Sequence, residues 1–84
     1  MEKAVIVFSA PTCPICKMLK EFLAERRVDY TDYDVTSDAE AFARMKKVSG
    51  GLRSVPVIKV GETVIAGFEE KELARALAGL PRAG

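Results

Sequence analysis

The chain has 84 residues, 49% hydrophobic and 30% charged, with a formal net charge of +1 and no histidine. That length supports one domain around one core, spanning residues 1–84, and near-neutrality leaves no field to gather nucleic acid or an anionic membrane. The absence of histidine removes the usual zinc partner, general base and neutral-pH switch. No stretch approaches the roughly 18 apolar residues of a bilayer span, and the N-terminus has no apolar h-region or small-residue cleavage site, so no signal peptide is expected.

The two cysteines, Cys13 and Cys16, are too few for a secreted disulfide framework. A bridge between them closes so small a loop that it stabilises a fold little on the loop-entropy argument. Their value is therefore chemical, and a reducing, cytoplasmic setting is expected.

The first element is Ala4-Val5-Ile6-Val7-Phe8, a continuous apolar, β-branched run that predicts a strand covered on both faces. A loop through Pro11 and Thr12 leads to Cys13, and Pro14 suits the first turn of a helix. That helix carries Leu19, Phe22, Leu23 and Arg26 at helical spacing, with Ile15 and Met18 beside the stripe and Lys17, Lys20, Glu21 and Glu25 on a solvated outer face. Val28 to Val35 reads as a strand near the sheet edge, because three aspartates interrupt its β-favouring residues. Strand, helix and strand make a βαβ unit with a right-handed crossover.

A second helix opens at Thr36-Ser37-Asp38-Ala39-Glu40, with Ser37 and Glu40 as a capping box. Phe42, Ala43, Met45 and Val48 form its apolar side, and Gly50-Gly51 stops it. Val55 to Val60 and Thr63 to Ala66 flank Gly61-Glu62, a hairpin with glycine at the first position of a type II′ turn. Gly67 breaks the chain. Glu69, Glu70 and Glu72 load the N-terminal end of a last helix, with Leu73, Ala76, Leu77 and Leu80 inward and Gly79 and Pro81 at its end. The order β-α-β-α-β-β-α predicts an α/β domain: a four-stranded mixed sheet with three helices on its two faces.

Cys13-Pro14-Ile15-Cys16 follows the first strand and opens the first helix. There unpaired backbone N–H groups and the helix macrodipole favour a thiolate on Cys13, the attacking species in disulfide exchange. Cys16, one turn on, lies on the same side and can attack a mixed disulfide formed on Cys13. Buried, inert thiols are the plainer alternative. Zinc and iron–sulfur sites also use this spacing, but two thiolates are half a tetrahedral shell.

Cys13-Pro14-Ile15-Cys16 after a first strand, with Ser54-Val55-Pro56 before the third, resembles the active-site motif and cis-proline loop of glutaredoxins, across essentially the whole chain. The resemblance implies a glutaredoxin-like thioredoxin fold and a dithiol thiol–disulfide oxidoreductase. It implies Cys13 as nucleophile, Cys16 as resolving thiol and Pro56 as a cis residue facing the cysteines. Read from the residues alone, Pro56 fits equally as the start of an edge strand. The resemblance also implies that the Val55 backbone pairs with the substrate. Thr12, Pro14, Ile15, Arg53, Gly67, Phe68 and Glu69 complete the candidate substrate-binding set, with no metal ligand. The implied partners are disulfide-containing proteins or glutathione, and a reductase. Glutathione is at most a co-substrate, no cofactor is bound, and the chain acts as a monomer. A cluster carrier bridging two subunits is a further implied role, disfavoured within the family by proline after the first cysteine.

Two electron sources compete. Many glutaredoxins have a lysine where this chain has Ala10, with Lys47 and Arg53 as substitutes for holding a glutathione carboxylate. Their Gly-Gly pair before two acidic residues is here Ala66-Gly67-Phe68-Glu69-Glu70, where Gly67 and the N–H groups opening the last helix could accept a carboxylate. Gly51-Leu52-Arg53-Ser54-Val55-Pro56 and Gly67-Phe68, in turn, resemble the corresponding segments of NrdH-type redoxins, which draw electrons from thioredoxin reductase.

Overall fold

The structure is a computed structural model describing residues 4–79. Its elements are β1 (Val5–Ser9), α1 (Pro14–Glu25), β2 (Thr31–Asp34), α2 (Ala39–Val48), β3 (Val57–Val60), β4 (Thr63–Ala66) and α3 (Glu70–Ala78). The order matches the sequence expectation, and the expected Leu80 and Pro81 lie outside the described residues. The sheet runs β2-β1-β3-β4, with β1 and β2 parallel and β1–β3 and β3–β4 antiparallel. The strand read from Val28 to Val35 is therefore an edge strand, shorter than its β-favouring run.

Strand alternation divides the core into two layers. Val5, Val7, Ile58, Val60 and Ile65 pack with Leu19, Phe22 and Leu23 of α1 and Leu73 of α3. Ile6, Phe8 and Val57 face the other way and pack with Met45 of α2, with Tyr33, Phe42, Val48 and Val64 around them. β1 is buried along its whole length, as its uninterrupted apolar run requires.

Two local expectations, the α2 cap and its apolar stripe, need correction. The α2 cap is Asp38, not Ser37: Asp38 Oδ1 accepts from the Glu40 and Ala41 N–H groups at 3.0 and 3.3 Å. A carboxylate reaching two orphan donors competes well with a hydroxyl one residue earlier. The buried small residue of α2 is Ala41, while Ala43 faces solvent, so the apolar stripe is rotated from the expected one. Ile15 and Met18 are 48% and 54% exposed, leaving Cys16, Leu19, Phe22 and Leu23 as the buried face of α1.

Helices α1 and α2 end alike. In α2, Gly50 adopts φ 75° and the Gly51 N–H reaches back to the Lys46 carbonyl at 2.7 Å. In α1 the equivalent left-handed position is Arg27, at φ 56°, with the Val28 N–H on the Leu23 carbonyl at 2.9 Å. Both are Schellman turns, in which glycine suits the left-handed residue. A side chain there costs roughly 1–2 kcal/mol, partly offset by its smaller entropy loss on folding. Arg27→Gly is therefore expected to stabilise the fold by about 0.5–1 kcal/mol, raising Tm by several degrees in a thermal melt.

Candidate active site

Antiparallel pairing of β1 with β3 sets the site. Phe8 pairs with Val57, so one step further Ser9 and the loop to Cys13 stand beside Pro56 and Val55. The Val55–Pro56 bond is cis, the geometry implied by the family resemblance. Pro56 is buried, and its carbonyl accepts the Gly67 N–H at 2.8 Å, which ties the start of the segment after β4 to the same end of the sheet. Thr12, Ser54, Arg53 and Glu69 are exposed.

Cys13 is the N-cap of α1. Its N–H donates to the Ala10 carbonyl at 3.2 Å, which closes the loop, and its sulfur accepts the Cys16 N–H at 3.1 Å. The sulfur thus occupies the place of a capping oxygen, and Pro14 follows where the missing donor costs nothing. Cys13 is partly exposed, whereas Cys16 is 1% exposed. Burial pushes the Cys16 thiol up to about 11, a hydrogen bond to Cys13 adds to that, and the Ala10 backbone and the Lys20 charge pull the other way. One sulfur is therefore accessible and the other is held back as a neutral thiol.

Phe68 contacts the edge of the Phe22 ring at a centroid distance of 5.5 Å and shares a shallow hollow with Met18, Glu21 and Glu25. A larger hollow lined by Glu62, Thr63, Glu72 and Arg75 opens at the opposite end of the sheet, where the Gly61 N–H bonds the Ala4 carbonyl, away from the cysteines. Among the described residues no group of three or more Cys, Asp or Glu is placed to hold a metal ion, and no helix is long and apolar enough to cross a membrane.

Two sequence readings change. The Gly67 N–H is already bonded to Pro56, so it is not available to a ligand carboxylate. The start of α3 carries Glu69, Glu70 and Glu72, whose charge opposes an incoming anion there. Lys20 does not stand on a purely solvated face: its Nζ lies 2.7 Å from Asp32 Oδ2, and Ser9 donates its hydroxyl to Asp32 Oδ1 at 2.7 Å. Sequence reasoning missed this trio, whose signals were the i, i+4 spacing of Cys16 and Lys20 and a serine closing the alternation Val5, Val7, Ser9.

The glutaredoxin family model matches residues 5–65. A glutaredoxin of Neisseria meningitidis is 41% identical over 69 residues, covering 81% of this chain and 80% of its own. The glutaredoxin-like protein NrdH of Lactococcus lactis is 30% identical over 71 residues, covering 84% and 96%. The crystal structure of a glutaredoxin from Archaeoglobus fulgidus superposes with a TM-score of 0.82 at 28% identity, over 94% of this chain and 89% of that one. With most of its length matched in both sequence and fold, the chain belongs to the glutaredoxin family.

Proposed function

We propose that the protein is a dithiol thiol–disulfide oxidoreductase that reduces disulfides through Cys13 and Cys16. The carrying observation is the asymmetry of the pair: a partly exposed Cys13 sulfur capping α1 and accepting the Cys16 N–H at 3.1 Å, with Cys16 buried behind it. Cys13 attacks a substrate disulfide, and Cys16 attacks the resulting mixed disulfide and releases the product. Val55 beside Pro56 offers the substrate a strand-like backbone edge, and the exposed Ile15, Met18 and Leu52 give a protein substrate apolar surface to rest on. Thr12, Pro14 and Arg53 border the same loops. The protein works as a monomer in the reducing cytoplasm, without a resident cofactor.

The NrdH-type reading of the electron source has its own support. The committed Gly67 N–H and the acidic start of α3 disfavour a glutathione carboxylate at that position, and an NrdH protein is among the relatives. The test follows NADPH consumption with a small disulfide substrate, once with thioredoxin reductase and once with glutathione and glutathione reductase. Turnover with thioredoxin reductase alone is the expected outcome of the NrdH-type reading. Turnover with glutathione alone makes the protein a glutathione-fed reductant, and turnover with neither overturns the oxidoreductase reading.

A further inference from the structure

Ser9 is the one polar side chain in the core of the described residues, 1% exposed. It stands at the end of β1, and its hydroxyl holds Asp32 of β2. The other carboxylate oxygen of Asp32 holds Lys20 of α1. Three elements thus converge to fix one ammonium group, with side chains 31% and 35% exposed at the ion pair. As a stabilising device this is weak, because ion pairs this open to solvent contribute little. Its position is more telling. Lys20 follows Cys16 by one helical turn, on the side of α1 that meets the sheet.

We propose that Lys20, fixed by Asp32 and Ser9, is a positioning residue for the resolving step, its charge favouring the Cys16 thiolate as that sulfur attacks the mixed disulfide on Cys13. This rests on the reading of Cys16 as the resolving thiol. The exchange balances without an outside oxidant or reductant. Cys16 gives up its proton, a bond forms between the two cysteine sulfurs, and the bond from Cys13 to the substrate sulfur breaks. The substrate sulfur leaves with the electron pair and takes up a proton, so the cysteine pair ends oxidised and the substrate reduced. Lys20 stays protonated throughout.

The charged and titratable groups facing the pair are Cys13 from the loop before α1, Tyr30 from the segment before β2, and Asp32 from β2 itself. Partial burial works against the Lys20 charge, but Asp32, Tyr30 and Cys16 outweigh it and hold the ammonium above its ordinary range. It is therefore a fixed positive charge at neutral pH. Cys16 is the group in need of one, since burial resists its ionisation.

The experiment uses the reduced protein and an aromatic disulfide that releases a coloured thiolate at each step. The first release reports attack by Cys13 and the second reports resolution by Cys16. Lys20→Gln is expected to slow the second release several-fold and to move its pH profile upward, with the first release little changed. Lys20→Arg is expected to restore the rate. Removing the carboxylate as well, in Lys20→Gln with Asp32→Asn, is expected to be less harmful than Lys20→Gln alone, because an unpaired Asp32 opposes the thiolate. Equal second-release rates in wild type and Lys20→Gln overturn the proposal. So does a slowing that Lys20→Arg shares, with no shift in pH profile, since that marks a structural effect. A wild-type protein that releases only one thiolate overturns the dithiol reading itself, and the Lys20 role falls with it.

Discussion

Replacing Cys13 with serine is expected to abolish disulfide turnover, by on the order of 10³-fold or more, while Cys16→Ser leaves the first attack intact and traps the mixed disulfide. Exchange needs an ionised sulfur at the point of contact, and a serine hydroxyl is not ionised near neutrality. Cys16 cannot take over. It is 1% exposed, and burial holds its thiol well above the ordinary range, so little of it is ionised near neutrality. The residual alkylation of Cys16 in Cys13→Ser should therefore be slow and rise about tenfold per pH unit up to the neighbourhood of its own titration. Mass spectrometry of the protein incubated with an aromatic disulfide checks both halves. A stable adduct on Cys13 is expected in Cys16→Ser, and none on Cys16 in Cys13→Ser. Rapid labelling of Cys16 in Cys13→Ser would sink the assignment of roles.

The parts of this site that were legible in the sequence are those written in short stretches. Proline after Cys13 at the mouth of a helix, glycine at a two-residue hairpin and an uninterrupted apolar first strand are local signals, and each element formed where its signal stood. At Gly61 the positive φ of 60°, without one at Glu62, matches the turn that the sequence demanded. The α2 cap was misplaced by one residue because Ser37 and Asp38 both satisfy the same rule, and only the geometry decides which oxygen reaches two N–H groups. Lys20 was misread for a different reason. Beside Lys17, Glu21 and Glu25 it completes what reads as a solvated helix face, and its partner lies on a strand whose position over α1 is a tertiary fact. Gly67 likewise looked free to bind an anion until the register of β3 and β4 put its N–H against Pro56. Local chemistry announces the two cysteines, whereas the contacts of Lys20 with Asp32 and Ser9, and of Gly67 with Pro56, are made only when α1, β1, β2 and the segment after β4 come together.

Phe8→Ala is expected to cost about 3–5 kcal/mol, much of the roughly 4–13 kcal/mol that a domain of this size holds in reserve. Phe8 is 0% exposed, stacks on Tyr33 at 5.7 Å between centroids, and fills the layer between the sheet and α2 beside Met45 and Val57. It belongs to β1, a strand paired on both sides and buried along its whole length, so its neighbours have little freedom to close the cavity. The urea midpoint should fall by about 2 M or more with an unchanged slope, whereas Ile15→Ala, at a 48% exposed position, should move it little. A cost below about 1.5 kcal/mol for Phe8→Ala would mean that the α2 layer repacks and that β1 is not the rigid centre of the fold. The same variant separates stability from chemistry. Ser9 and the Cys13 loop hang from the end of β1, but the nucleophile is held by its own cap bond and by α1 on the opposite face from Phe8. Thiolate release per folded molecule should therefore match the wild type at temperatures below the lowered Tm, and activity should decline in step with unfolding rather than ahead of it.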